Sequence, residues 1–244
     1  MKNTLIMTAL VASLVFVGCS KDDEKKLTLS NDKVSLNAEE TEKITASSTD
    51  VTWESENTFV AKVSSSGLIT GNHVGKTTVT ATSAKEGIAK CAVEVTPKFH
   101  TYTEPVLEFG ATMASIKSKE SRTLSNETSD GLTYKDPNNK KINGLAYLFE
   151  KGQMTSVGVF VKNAYAVEAV DFLAERYLPI DVNGQNYDAL FVNNAIDKAD
   201  MLVIMDMDTS ATLIMYAAYS KSKSRSLVEE DIMINQFKQM FKGF

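Results

Sequence analysis

Between residues 27 and 97 no stretch sustains a helical period; apolar side chains recur at every second position in short runs broken by turn residues. The runs are 27–29, 33–36, 42–46, 51–55, 60–63, 77–82 and 91–95. Such alternation puts one apolar face on each strand, and several strands this short bury those faces only by packing two sheets together. A β-sandwich is therefore predicted. Trp53 would supply a large core side chain in a module with little apolar area to spare, and Gly67, Gly71 and Gly75 read as tight turns at positive φ. Cys91, Val93 and Val95 share one strand face, so Cys91 reads as a buried small apolar side chain rather than a nucleophile.

The order of the segments is more specific than their alternation. Val51-Thr52-Trp53-Glu54-Ser55-Glu56-Asn57 is followed by Val60-Ala61-Lys62-Val63, then Gly67-Leu68-Ile69-Thr70-Gly71, Gly75 and Thr78-Val79-Thr80-Ala81. This succession closely resembles the group 2 bacterial Ig-like domain over nearly all of 27–97. The resemblance implies an immunoglobulin-type sandwich of a kind found in adhesins. No aromatic cluster stands out in its loops, so a spacer role is expected before a ligand-reading one. His73 and His100 are the only histidines, and both are expected as exposed turn or linker residues without a metal or catalytic role.

At the start, Lys2 precedes an apolar run, 5–17, whose helical length of about 20 Å falls short of a ~30 Å hydrocarbon core. A basic start, a short apolar middle and small residues at the end read as a secretory signal. Phe16-Val17-Gly18-Cys19 resembles the cleavage site of bacterial lipoprotein precursors, which implies lipidation of Cys19 after removal of residues 1–18. Each buried methylene contributes ~0.8 kcal/mol, so two or more acyl chains make a durable membrane anchor. Residues 20–26 are too charged to pack and read as a tether. The acidic Asp22-Asp23-Glu24 resembles the export tag of surface-displayed lipoproteins, implying a lipid-anchored, surface-exposed outer-membrane protein. With Cys19 acylated, Cys91 has no intramolecular disulfide partner, since the chain holds 2 Cys in all.

A length of 244 residues suggests more than one domain, and a boundary is expected in a connector at 98–108, where Pro97 and Pro105 favour extended backbone. Residues 109–219 are expected as an α+β domain of helix plus antiparallel meander. Phe109, Met113 and Ile116 have helical spacing; Asp130-Gly131 and 136–139 are turns separating strands at 132–135, 143–150 and 153–162, with a tight hairpin at Lys151-Gly152. A second helix, with Asn163 as its cap, carries Val167, Val170, Phe172, Leu173, Ala174 and Tyr177 on its apolar side. Asn183-Gly184 is read as a hairpin between 179–182 and 187–192, and strands are expected at 201–207 and 211–218. Segments 109–163 and 165–219 each hold 55 residues and each run helix then meander, which suggests an internal duplication.

The second domain is similar to the α+β domain of lipoproteins that also carry group 2 Ig-like modules, through Glu104-Pro105, Phe109-Gly110, Arg122-Thr123-Leu124, Leu132-Thr133-Tyr134, Tyr147-Leu148-Phe149 and Phe172-Leu173-Ala174-Glu175-Arg176-Tyr177. That resemblance implies architecture only. Residues 220–226 form a serine-rich basic linker, and Ser226-Leu227-Val228-Glu229 has capping-box spacing for a final helix, 226–244, whose stripe of Met233, Phe237, Met240, Phe241 and Phe244 is expected to dock on the sheet.

Chemistry-bearing patterns are sparse. The net charge of −5 argues against non-specific nucleic-acid binding. Neither a nucleophile elbow, a phosphate loop, a dinucleotide glycine pattern nor a zinc-protease motif occurs, so no enzyme activity and no cofactor are expected. Asp206 and Asp208 share a strand face but lack the oxygen donors a Ca²⁺ site needs, so no metal is expected. Met201, Met205, Met207 and Met215 read as core filler. Tyr165 and Tyr187 are candidate sugar-stacking residues. The function expected is non-enzymatic adhesion to an extracellular protein or glycan; the alternatives are an accessory glycan-capture lipoprotein and an inert envelope component.

Overall fold

The computed structural model describes residues 25–182 and 188–219. Six of the seven expected strands of the first module form, and one is added that was not expected. They are β1 (Lys33–Asn37), β2 (Thr41–Lys43), β3 (Thr52–Ser55), β4 (Ala61–Val63), β5 (Leu68–Gly71), β6 (Gly75–Ser83) and β7 (Gly87–Thr96). One sheet runs β1-β7-β6-β3 and the other β2-β5-β4; β1 lies parallel to β7 and the remaining pairs are antiparallel. Between the sheets lie Val34, Leu36, Ile44, Val60, Ile69, Val79, Cys91, Val93 and Val95, with Trp53 packed against them. Alternation works as anticipated on β7, where Cys91, Val93 and Val95 point in while Ala92 and Glu94 point out.

Two readings of this module need correction. Residues 68–71 are strand β5, with Ile69 fully buried, while 27–29 contributes only an isolated bridge from Leu29 to Ala46. Gly67 has the expected positive φ of 80°, but Gly71 does not; it is glycine because a Cβ there would stand 2.7 Å from the Asn37 carbonyl oxygen.

The second module contains α1 (Met113–Lys119), β8 (Thr123–Glu127), β9 (Gly131–Lys135), β10 (Ile142–Glu150), β11 (Gln153–Val161), a 3₁₀ turn (Asn163–Tyr165), α2 (Ala166–Ala174), β12 (Leu178–Val182), β13 (Ala189–Val192), β14 (Met201–Met207) and β15 (Thr212–Ala218). All its strands join in one antiparallel sheet of order β12-β13-β14-β15-β11-β10-β9-β8. The α+β expectation thus holds only in part, because the helices have 7 and 9 residues and the region is mostly β. Each half is a helix followed by a four-stranded meander, and the halves meet through their last strands, β11 and β15. That topology repeats in the way the two 55-residue segments suggested.

Lys151 and Gly152, at φ 51° and 79°, form the two-residue turn between paired Glu150 and Gln153. Asn163 does not cap a helix by its side chain; its amide binds the Asp208 carbonyl and the Thr212 hydroxyl instead. The Asn183-Gly184 turn and the 226–244 helix lie outside the described residues.

The sheet buries both faces. Leu145, Tyr147, Phe149, Val203, Met205, Ile214 and Tyr216 pack against Ile116 of α1 and Ala169, Phe172 and Leu173 of α2. Ala146, Leu148, Phe160, Val192, Leu202, Ile204, Leu213 and Met215 form a second buried cluster on the opposite face. Double burial turns β14 into a continuous apolar run rather than an alternating one. Met201, Met205 and Met215 are core residues as expected; Met207 is 45 % exposed and is not.

The connector at 98–108 carries no regular structure, yet it packs into the second module. Thr101 and Tyr102 are buried, the Tyr102 and Tyr216 hydroxyls are 2.6 Å apart, and the Val106 N–H donates to the Tyr147 hydroxyl at 2.9 Å.

Candidate functional site

A concave surface lies where the Ig-like module meets the second module. Asn57 begins it: its side-chain oxygen accepts from the Phe59 N–H at 3.0 Å, and its carbonyl accepts from the N–H groups of Val60 and Ala61. This Asx turn presents Phe59. Asn72, ahead of β6, donates its side-chain amide to the Thr58 carbonyl at 2.8 Å, bringing His73 alongside. The Phe59 and His73 rings stack with centroids 3.9 Å apart and planes 2° from parallel.

A carbonyl oxygen only accepts, so His73 Nδ1, 2.9 Å from the Phe59 carbonyl, carries the proton and leaves Nε2 as an acceptor. Burial lowers the His73 pKa below 6.5, the hydrogen bond to Phe59 opposes that shift, and the charge of Lys62 adds to it. His73 is therefore a half-buried neutral side chain rather than the exposed turn residue expected; His100 is exposed as expected. Around this stacked pair, Glu54, Glu56 and Lys62 from one module face Leu178, Asn194 and Lys198 from the other, lining a cleft of about 1000 Å³. The arrangement offers a flat ring pair bordered by carboxylate acceptors and ammonium donors.

Glu175 bonds to both the Ig-like module and the connector. Glu175 ends α2; its carbonyl accepts from the Val74 N–H of the Ig-like module at 2.7 Å. Its buried carboxylate accepts from the N–H groups of Lys98 and Phe99 at 2.8 and 3.1 Å, and from Arg176 at 2.5 Å. Arg176 also sits 3.7 Å from the Phe172 ring centroid, a cation–π arrangement. At the end of α1, Glu120 plays a matching part, taking hydrogen bonds from Arg122 at 2.9 Å and from the Tyr147 hydroxyl at 2.5 Å. Burial holds the Tyr102, Tyr147, Tyr177 and Tyr216 phenols well above their ordinary pKa, so all stay protonated. This network is structural: it ties the connector to the sheet.

The other sequence candidates are placed apart from the cleft. Asp208 accepts from the N–H groups of Ser210 and Ala211 and from the Ser210 hydroxyl, closing the turn into β15. Among the described residues no group of three or more His, Cys, Asp or Glu stands ready for a metal ion. Tyr165 is half-buried, with the Lys141 ammonium 5.7 Å from its ring centroid. Cys19 and Tyr187 lie outside the described residues. Sequence reading missed the Phe59–His73 pair; its only signal was an Asn before each aromatic, at 57 and 72.

Fold and cleft together define a mostly β protein in which an Ig-like sandwich is docked on an eight-stranded sheet whose two halves repeat one topology. The family model of the bacterial Ig-like domain (group 2) matches residues 24–93. No curated protein matches the chain. Among solved structures, the crystal structure of the intimin–Tir90 complex is similar at 22 % identity and TM-score 0.27, over 38 % of this chain and 56 % of that one. The crystal structure of an EHEC O157:H7 intimin mutant is similar at 15 % identity and TM-score 0.28, over 53 % of this chain and 90 % of that one. TM-scores this low carry no functional inference.

Proposed function

We propose that this chain is a lipid-anchored protein of a bacterial cell surface that binds an extracellular protein or glycan without transforming it. Cys19, after Gly18, would carry the lipid, and the acidic stretch 22–24 would direct display on the outer membrane. The Ig-like domain then serves as spacer or adhesive unit, docked through Glu175 so that the far module is held at a fixed angle. The observation that carries the binding role is the cleft of about 1000 Å³ with its stacked Phe59–His73 pair, bordered by Glu54, Glu56 and Lys62. That same ring pair favours a second reading, accessory glycan capture, because sugar rings stack on flat aromatic faces and bond to carboxylates at their edges.

The test uses chain lacking residues 1–19, screened on immobilised glycans and host matrix proteins beside a Phe59→Ala variant. Saturable binding lost in the variant supports the cleft; sugar hits select glycan capture. Absence of saturable binding to either class removes the reading. Protease shaving of intact cells checks display: degradation in intact cells is expected, and protection until lysis would refute it.

A further inference from the structure

We propose that the sheet face opposite α1 and α2 is the docking surface for this chain's own C-terminal segment, residues 226–244. The face spans five adjacent strands: Val192 on β13, Leu202 and Ile204 on β14, Leu213 and Met215 on β15, Phe160 on β11, and Ala146 and Leu148 on β10. Every one of these side chains is at most 9 % exposed. Yet the buried residues of both described helices belong to the other face. The side chains that border this cluster, Leu178, Leu190, Ala199, Ala211 and Tyr219, come from strand ends and loops. Side chains buried to this degree have something packed over them, and neither described helix supplies it.

The occupant follows from where the chain goes next. β15 is a central strand, flanked by β14 and β11, and Tyr219, one residue past its end, already packs against this face. The chain continues for 25 residues beyond Tyr219. Residues 220–225 can span up to ~20 Å, enough to reverse direction over the sheet. The 19 residues of 226–244 would form a helix of about 28 Å, matched to a strand length of about 24 Å for the seven residues of β14 or β15. Met233, Phe237, Met240, Phe241 and Phe244 fall on one side at spacings of 4, 3, 1 and 3. Large aromatic side chains there meet branched and small residues on the sheet, the complementarity a helix needs on a flat face.

The test incorporates the photocrosslinker benzoylphenylalanine at position 237, and separately at 241, in the full chain. Crosslinks within one chain, at monomer mass, to peptides from 201–219 or 145–161 are expected. Crosslinked dimers, capture by residues 1–24, or transfer only to phosphatidylethanolamine–phosphatidylglycerol vesicles would overturn the proposal. Hydrogen exchange on Phe237→Asp/Phe241→Asp gives an independent readout. Exchange in β13, β14 and β15 should accelerate at least tenfold while β6 and β7 stay protected; unchanged exchange in β13–β15 overturns it. Should the double variant fail to fold, the crosslinks in the otherwise native chain decide.

Discussion

Replacing Gly67 by Ala tests the account of the sandwich at the point where backbone, core and turn meet. Gly67 sits at φ 80°, and a Cβ there would stand 2.5 Å from the Ile44 carbonyl oxygen and 3.0 Å from the Trp53 ring. The left-handed backbone alone costs Ala ~1–2 kcal/mol. The clash is with main chain, which cannot rotate away, and Ile44 cannot retreat without stretching its own N–H bond to the Gly67 carbonyl at 3.0 Å. Overpacking of this kind adds ~1–3 kcal/mol. Gly87 provides the control: its φ is 85° but nothing lies within 4 Å, so Gly87→Ala meets the backbone cost and little else. At ~4–8 °C per kcal/mol for a module of this size, Gly67→Ala should melt at least ~8 °C below wild type, and Gly87→Ala about half as far below. Trp53 is the single tryptophan of the chain, so its fluorescence reports on this module alone during thermal unfolding. Equal melting temperatures for the two variants would refute the claim that the Ile44 carbonyl and the Trp53 ring close over Gly67.

Other perturbations address the second module and the joint. Arg122→Met strands the Glu120 carboxylate, only 1 % exposed, and should cost ~3–5 kcal/mol in far-ultraviolet circular dichroism melts, with Glu120→Gln added to it restoring part of the loss. For His73, burial lowers the folded-state pKa below 6.5, so the unfolded module protonates first as pH falls. Its contribution is complete above pH 6.5 and is lost on acidification toward the lowered pKa; the Trp53-reported melting temperature should fall more between pH 7.5 and 5.5 in wild type than in His73→Gln, and parallel slopes would count against it. Glu175→Ala leaves the Lys98 and Phe99 N–H groups without their acceptor, and trypsin should cut after Lys98 several-fold faster, followed by mass spectrometry.

How much of this could be read in advance depended on how each element buries its side chains. The sandwich strands bury one face each, so β7 announced itself by alternation, and Lys151-Gly152 did so by the backbone its turn demands. β8 was missed because all five of its residues are exposed, which leaves no apolar period to detect. β5 was missed because Leu68-Ile69-Thr70 between two glycines is too short for a period. The connector misled for another reason: Tyr102 is buried beside Phe172 with its hydroxyl on that of Tyr216, 114 positions away, and local pattern carries no trace of such partners. The Phe59–His73 stack joins two loops in the same manner.

The repeated topology explains how the joint between the modules is built. Glu120 and Glu175 lie 55 positions apart, each at the end of its unit's helix, each buried and each paired with an arginine just downstream. In the first unit the carboxylate turns inward, to the Tyr147 hydroxyl of its own sheet. In the second it turns toward the incoming chain at Lys98 and Phe99, while the carbonyl of the same residue takes the Val74 N–H. A buried carboxylate needs several donors wherever it sits, and the second copy draws its donors from the connector that leaves the Ig-like module. The need that stabilises one helix end therefore also ties the Ig-like module to the sheet at the other. The same joint brings the Phe59–His73 rings into one cleft with Leu178 and Asn194.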